Sequence, residues 1–299
     1  VLLDTTTTDS DILNATVSTA GVDARIQNIE TINVTGEYVN TGLDLTHVSG
    51  TKTLNLDTKL VSGTATVTDA NSINAAAIKA GANISTLNVT SLSSGTRDTV
   101  TVDGGNANVT LNGAPTGADK YSVTIAKDKT LTANAMDSSG DELTVNASNN
   151  FTLTTGATIP TATINNTGSA AITVTATGTA DIATKLNLSG NAVTLKGDAN
   201  AFAGTTAIAT GLGVEVTSTA TKSTIELSSA TTPLAVFLNK AQVSELLVSA
   251  DVTKTVNDEI TVNENSKLVL AKDQASFGVI ANIDNVDGDM TGSSPALTG

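Results

Sequence analysis

The feature that most constrains the fold is threonine set between aliphatic residues in short alternating runs. Typical runs are Ile32–Thr35, Leu87–Thr90 and Ile260–Val262. A β-branched residue with one hydroxyl suits the outer face of a half-buried strand, while the alternating aliphatic residue faces inward. The pattern therefore predicts many short strands with Val, Ile and Leu inside and Thr and Asn outside.

The spacing and composition of these runs limit the architecture. Gly, Asn and Asp separate the runs, which mostly recur at intervals of about eight to fourteen residues, as in sandwiches, barrels and solenoids. Hydrophobic residues make up 39% of the chain but aromatic residues only 2%, so small aliphatic side chains must fill a thin interior. We predict an all-β fold, an elongated β-solenoid of the parallel β-helix type with short helical excursions. Tandem β-sandwich domains are the alternative.

Three segments have helical character. The Ala-rich segment Ser72–Ala80 begins with a capping Ser and is followed by Gly81, which suits a helix end. Weaker candidates are Asp198–Thr210 and Lys240–Leu247. We expect all three as short excursions from a β body.

The run pattern suggests three regions. Residues 1–28 are predicted to be an N-terminal boundary or cap, and residues 29–197 a Thr-rich β scaffold. Residues 198–299 continue the scaffold with short helices and include the C-terminal boundary. The chain starts with Val1 and has no leader-like segment, so we expect it to be part of a larger protein with its export signal or anchor elsewhere.

Charge excludes several partners. The chain has 29 acidic and 15 basic residues, for a net charge of -14. Such a surface repels nucleic acid and anionic membranes and attracts divalent cations. From the charge we expect no nucleic-acid binding. Because the sequence has no apolar run of about 18 residues, we also expect no membrane insertion. The absence of Cys, with a low pI and much Thr, Asn and Ser, favours an exported bacterial protein over a cytosolic one.

The sequence offers little for catalysis. His47 is the single histidine, without a Cys or second His to complete a metal site, and no G-x-S-x-G motif is present. Asp137, Asp141 and Glu142, or Asp284, Asp287 and Asp289, could pair as in glycoside hydrolases. Such enzymes normally present aromatic platforms around the cleft, and this chain has almost no aromatic residues to offer. We therefore predict that the protein is not an enzyme.

Calcium is the cofactor that the acidic turns favour. Ca²⁺ takes carboxylate, amide and carbonyl oxygens, and Asp284, Asp287 and Asp289 place three carboxylates around Gly288. No glutamate follows at the EF-hand position, and ordinary Asx turns remain an equal alternative. Further candidate ligands are Asp103 with Asn106, Asp137 with Asp141, Asp198 with Asn200, and the N-terminal Asp4, Asp9 and Asp11.

One motif resembles a known family. The segment Gln27–Thr35, with Asn28-Ile29-Glu30-Thr31-Ile32-Asn33-Val34-Thr35, is similar to a rung repeated in bacterial surface-layer proteins exported by type I secretion. Thr53–Leu56 and Ser85–Thr90 look like degenerate copies. The resemblance implies a structural segment of a two-dimensional lattice on a Gram-negative cell surface, with calcium holding protomers to each other and to the surface polysaccharide. The repeated G-G-x-G-x-D calcium motif of the family is absent.

The function predicted from these observations is self-assembly. Partners would be further copies of the chain and, through regions outside it, surface polysaccharide. The main alternative is a stalk or passenger segment of an adhesin, or a phage fibre. Ice binding by Thr-x-Thr tracts is a weaker alternative, because a lattice-matched face needs constant rung length and the run spacing varies.

Overall fold

All regular elements that the computed structural model describes are β-strands, and they belong to two compact units, Val1–Asn146 and Ala147–Gly299. Described residues are 1–6, 9–17, 25–36, 42–58, 63–69, 77–90, 99–113, 117–136, 140–178 and 183–197, and beyond these the backbone of seven further strands. Among the described residues no helix has the length and apolar character required to cross a membrane.

The first unit contains fifteen strands in three parallel sheets. They are β1 Leu2–Leu3, β2 Ile12–Val17, β3 Ile26–Gln27, β4 Thr31–Gly36, β5 Leu43–Asp44, β6 Val48–Ser49, β7 Thr53–Thr58, β8 Gly63–Thr68, β9 Ala77–Ala80, β10 Ile84–Thr90, β11 Val100–Asp103, β12 Asn108–Asn112, β13 Lys120–Ile125, β14 Thr130–Asn134 and β15 Glu142–Ala147. Sheet 1 has the order β2-β4-β7-β9-β11-β13-β15, sheet 2 the order β5-β8-β10-β12-β14, and a small sheet the order β1-β3-β6. From β7 onward, strands close in sequence alternate between sheets 1 and 2, so each turn of the chain adds one strand to sheet 1 and one to sheet 2.

The second unit repeats this arrangement. Its strands are β16 Phe151–Thr155, β17 Ile159–Asn166, β18 Ile172–Gly178, β19 Ala183–Gly190, β20 Val193–Gly197, β21 Val214–Ser218, β22 Ser223–Leu227, β23 Ala235–Asn239, β24 Glu245–Val248, β25 Glu259–Val262, β26 Leu268–Leu270 and β27 Ile280–Ile283. The even-numbered strands form one sheet in sequence order and the odd-numbered strands the other. Neighbouring strands pair in parallel. Both units are therefore parallel β-solenoids, which confirms the predicted fold and makes the sandwich alternative wrong.

Buried and more exposed residues alternate along the strands, which gives each sheet an inner and an outer face. In β4, Ile32 and Val34 are buried while Thr31, Asn33 and Thr35 are half-buried. The same alternation occurs in β12, β14 and β16. Parallel in-register pairing stacks identical faces, as in Leu87 between Ala65 and Val109. The inward aliphatic residues of successive turns thus form a continuous core.

The core consists almost entirely of small aliphatic side chains. Val67, Leu87, Val109 and Leu131 are 0% exposed. The large aromatic exceptions are Tyr121 at 1% exposure and Phe151 at 3%. A narrow interior between two sheets suits Val, Leu, Ile and Ala, which agrees with the low aromatic content.

The helix predicted for Ser72–Ala80 is wrong where it can be checked. Residues Ala77–Ala80 form β9, which pairs in parallel with β7 and β11. The predicted helix at Lys240–Leu247 likewise overlaps β24, a strand from Glu245 onward. In both places pairing with adjacent turns overrides the local helix propensity of Ala and Leu. Residues 71–76, 198–210 and 240–244 lie outside the described residues.

Candidate functional site

The acidic cluster at the start of the chain is the strongest candidate for cation binding among the described residues. Carboxylate oxygens of Asp4, Asp9 and Asp11 all lie within 4.8 Å of one another. Two oxygens that bind one Ca²⁺ at about 2.4 Å lie no more than about 5 Å apart, so this spacing is compatible with a shared ion. The sequence placed these three residues among the secondary candidates.

Thr6 connects two members of the acidic cluster. Its hydroxyl lies 2.6 Å from Asp4 Oδ2 and 2.7 Å from Asp9 Oδ2. One hydroxyl has a single hydrogen, so it donates to only one carboxylate at a time. Hydrogen bonding from Thr6 lowers the pKa of the Asp4 carboxyl. The cluster is thus organised by local hydrogen bonds in which ionised carboxylates are the acceptors.

Electrostatic repulsion within the acidic cluster is seen at Asp11. The negative charge of Asp9, then desolvation, and then the charges of Asp4 and Glu30, raise the pKa of the Asp11 carboxyl. A raised folded-state pKa gives a stabilising contribution at low pH that is lost as the pH rises through that pKa. At neutral pH the ionised form of Asp11 is therefore disfavoured by its acidic neighbours, and a bound cation would offset that repulsion.

Glu30 is a buried acid beside the acidic cluster, and its role is structural. It is 6% exposed, and its Oε2 accepts a 3.0 Å hydrogen bond from the backbone N–H of Asp11. Glu30 directly precedes β4, and Asp11 directly precedes β2. The backbone N–H of Thr31 also donates to the carbonyl of Asp11 at 3.0 Å. These two hydrogen bonds therefore connect two successive turns at the corner that directly precedes the strands of sheet 1.

Asp141 has the same role at a later corner. Asp141 is 0% exposed and directly precedes β15. Its Oδ1 accepts a 2.7 Å hydrogen bond from the backbone N–H of Asp119, the residue directly before β13. The N–H of Glu142 donates to the carbonyl of Asp119 at 2.9 Å. The predicted metal partner of Asp141, Asp137, lies outside the described residues. Sequence reasoning missed the structural role of these acids, although the position directly before an alternating run was a usable signal.

Removing the Asp141 side chain should destabilise the first unit. We expect Asp141→Ala to lower the free energy of unfolding by about 1–3 kcal/mol, because the buried N–H of Asp119 loses its acceptor. The matched control is Glu142→Ala, which removes an equal charge. Glu142 forms only an exposed 2.8 Å ion pair with Lys120, a type worth about 0–1 kcal/mol. Urea unfolding of both variants measures the difference, and equal losses would contradict the corner role of Asp141.

Of the other predicted ligands, the structure describes Asp103, Asn106 and Asp141. Asp103 ends β11, and its Oδ1 accepts a 3.1 Å bond from the N–H of Gly105, an Asx turn. Asn106 is exposed in the same turn before β12. Near this turn, the described residues contain no group of three Asp, Glu, His or Cys side chains close enough to share a metal ion. Asp284, Asp287, Asp289, Asp198 and Asn200 lie outside the described residues.

His47 is exposed in the turn between β5 and β6. It lies near enough to Asp44 that its charge contributes to lowering the pKa of that carboxyl, after the larger effect of hydrogen bonds from Thr46. The prediction that His47 is not catalytic stays a prediction.

An apolar cavity of 490 Å³ opens at the first turns of the first unit. Its lining includes Leu13, Val17, Ile26, Ile32 and Leu43, and its one charged lining residue is Arg25. Nearby, Ile12 is 62% exposed on the outer side of β2. This lining provides hydrophobic surface but no set of groups for acid–base or metal chemistry.

Polar ladders cover the outer faces of both sheets of the first unit. On sheet 1, Asn33 donates to Asn14 at 2.8 Å and Asn55 donates to Asn33 at 2.7 Å. On sheet 2, Asn134 donates to Asn112 at 3.2 Å. Each bond joins residues that occupy the same position in adjacent turns, so the ladders follow the strand register.

Four strands of sheet 2 form a regular uncharged surface, which we call the neutral face. Its residues are Thr64, Thr66, Thr68, Thr86, Asn88, Thr90, Asn108, Thr110, Asn112, Thr130, Thr132 and Asn134. Hydrogen-bonded residues in adjacent turns of this face are 22 residues apart in each case. The rung length is therefore constant here, although the spacing of strand-like runs along the sequence varies.

The fold and surface define a parallel β-solenoid protein with an aliphatic core and an exterior rich in Thr and Asn. Comparison with protein-family models, curated proteins and solved structures found no match. The functional inferences that follow therefore depend on the residues of this chain.

Proposed function

We propose that this chain is a structural segment of a bacterial surface-layer protein that self-assembles into a two-dimensional lattice on the outside of the cell. The observation that carries the proposal is a solenoid whose outward faces carry ladders of hydrogen-bonded hydroxyl and amide groups. A rigid body of stacked turns gives extended, repetitive surfaces of the kind used for protein contacts. The similarity of Asn28–Thr35 to a surface-layer rung supports the same function.

Ca²⁺ is proposed to assist assembly. Each chain has a net charge of -14, so copies repel one another unless cations reduce the charge. Among the described residues, Asp4, Asp9 and Asp11 form a group of three carboxylates close enough to share an ion, and the charges of Asp9 and Asp4 raise the pKa of Asp11. The Asp284, Asp287 and Asp289 set remains a second proposed location. Surface polysaccharide would be bound by regions outside this chain.

The test is assembly of the purified chain with millimolar Ca²⁺, compared with an excess of chelator. We expect planar arrays by electron microscopy with Ca²⁺ and dispersed monomers by sedimentation with chelator. Mg²⁺ at equal concentration supplies the same ionic strength. It should not replace Ca²⁺ at the site, because Mg²⁺ demands a stricter octahedral geometry. Arrays that survive chelation would contradict the calcium part alone, and monomers under every condition would contradict self-assembly.

A pair of variants tests the acidic cluster. Asp4→Asn with Asp9→Asn removes two of its three carboxylates, whereas Asp128→Asn with Glu142→Gln removes the same charge from exposed positions elsewhere. If the acidic cluster holds the ion, only the first variant loses Ca²⁺ binding in calorimetric titration. Equal binding by both variants would exclude the acidic cluster as the site.

The alternative function is a stalk or passenger segment of an adhesin, or a phage fibre. A solenoid body serves these functions as well. A fibre would sediment as a stable trimer, and an adhesin stalk would stay monomeric without forming planar arrays, so the same experiment separates them. An enzymatic function is not proposed.

A further inference from the structure

The neutral face differs from the other large outer face of the same unit in its charge. None of its twelve side chains is ionisable. On sheet 1 the outward positions include Asp57, Lys79, Asp103, Lys120 and Glu142. A contact made through sheet 1 must therefore desolvate ions, whereas one made through the neutral face does not.

The charge of the whole chain makes this difference important. Two copies that each carry a charge of -14 repel, and their closest approach is easiest where the facing surfaces have no charge. The neutral face also keeps hydrogen-bonding capacity. Thr66 Oγ1 accepts from Asn88 at 3.3 Å, and Thr90 Oγ1 accepts from Asn112 at 3.2 Å, and a hydroxyl that accepts a hydrogen bond can also donate one.

The area of the neutral face sets the strength of such a contact. Four strands about 4.8 Å apart, each with five residues at about 3.3 Å, cover roughly 300 Å². A stable dimer buries about 800 Å² on each partner. The neutral face alone is therefore too small for a permanent dimer, but it suits one of several weak contacts that together hold a lattice.

We propose that the neutral face is a contact surface between two copies of this chain, related by a two-fold axis so that the same face is buried on both. This inference rests on the self-assembly proposed above and assigns one of its contacts to β8, β10, β12 and β14. In such an isologous contact, every substitution appears on both sides of the interface.

The experiment introduces like charges at the centre of the neutral face. In the double variant Asn88→Lys with Thr110→Lys, each interface gains four lysines, although the net negative charge of the chain falls. Overall charge would then favour assembly, while the local contact opposes it. We expect the protein concentration needed for assembly to rise at least about tenfold, which corresponds to about 1.4 kcal/mol.

The matched control is Thr101→Lys with Thr124→Lys, which makes the same charge change at exposed outward positions of β11 and β13 on sheet 1. It should assemble at the wild-type concentration or a lower one. The counterpart Asn88→Glu with Thr110→Glu should fail alone but assemble when mixed with the lysine variant, because opposite charges then face each other. A melting temperature equal to that of the wild type verifies that each variant is folded.

The outcomes separate the two proposals. Assembly of wild type and of the lysine variant at equal concentration overturns the neutral-face contact and leaves self-assembly in place. Failure of the mixed lysine and glutamate variants to assemble also overturns the contact. If the wild-type chain never assembles, both proposals are wrong.

Discussion

Replacing Asn166 with Asp is expected to destabilise the second unit by about 3 kcal/mol, because it places a charge in a buried hydrogen-bonded site. Asn166 is 2% exposed, and its Nδ2 donates to the carbonyls of Ala170 and Ala192, each at 2.8 Å. Its Oδ1 accepts from the N–H of Gly168 at 2.9 Å. A carboxylate cannot donate, so the carbonyls of Ala170 and Ala192 would lose the side-chain donor and face a negative charge, although Ala192 keeps its bond from the N–H of Ile172 at 3.0 Å.

The control for this substitution is the neighbouring residue. Asn165 is half-buried on the outer side of β17, and its Oδ1 accepts from Ser189 Oγ at 3.2 Å, a role that a carboxylate also fills. Asn165→Asp should therefore lower the urea midpoint less than Asn166→Asp does. The penalty of Asn166→Asp should be larger at pH 8 than at pH 5, because burial and the two carbonyls raise the pKa of the introduced carboxyl and favour its protonated, donating form. Equal midpoints for the two variants would contradict the structural role of Asn166.

The second large effect is expected at the centre of the first unit. Leu87→Ala should lower the free energy of unfolding by about 2–5 kcal/mol. Leu87 is 0% exposed and pairs with Ala65 on one side and Val109 on the other. Because Ala65 is already small, the neighbouring turn cannot fill the cavity that the truncation leaves.

The effect of Leu87→Ala should be local as well as large. In a solenoid each turn contacts only its neighbours, so amide hydrogen exchange should accelerate most in β8, β10 and β12. Thr86→Ala, at the adjacent outward position, should change stability by no more than about 0.5 kcal/mol. Uniform exchange throughout the first unit would contradict nearest-neighbour coupling.

Much of the fold could be predicted because the alternation of apolar and polar residues along a strand is a local property of the sequence. The run around Ile32 and Val34 indicates a strand with one buried face, and the structure buries those two residues. The segment Ala77–Ala80 misled because its alanines have helix propensity, while their place between β7 and β11 makes them a strand. Which strands pair depends on contacts distant in sequence, and no local pattern reports them.

The candidate site was less predictable for the same reason. Asp141 resembles any acidic turn residue in sequence, yet its carboxylate is buried against the backbone of Asp119, one turn earlier. Asp4, Asp9 and Asp11 are close in sequence, so their proximity could be anticipated. The position directly before an alternating run marks such an acid in the sequence, but its hydrogen-bond partner one turn earlier becomes visible only when successive turns are stacked.

The constant interval of 22 residues across the neutral face has a consequence for how such a chain changes its length. Inserting or deleting one complete turn there shifts every later strand by one strand spacing, about 4.8 Å, and keeps each inward and outward position in register. A change of another length has to be absorbed in the segments between strands, as it is where equivalent positions elsewhere in the chain lie 19, 23 or 24 residues apart. This part of the molecule can therefore lengthen by duplication of whole turns, with each copy adding one more row to an unchanged surface pattern.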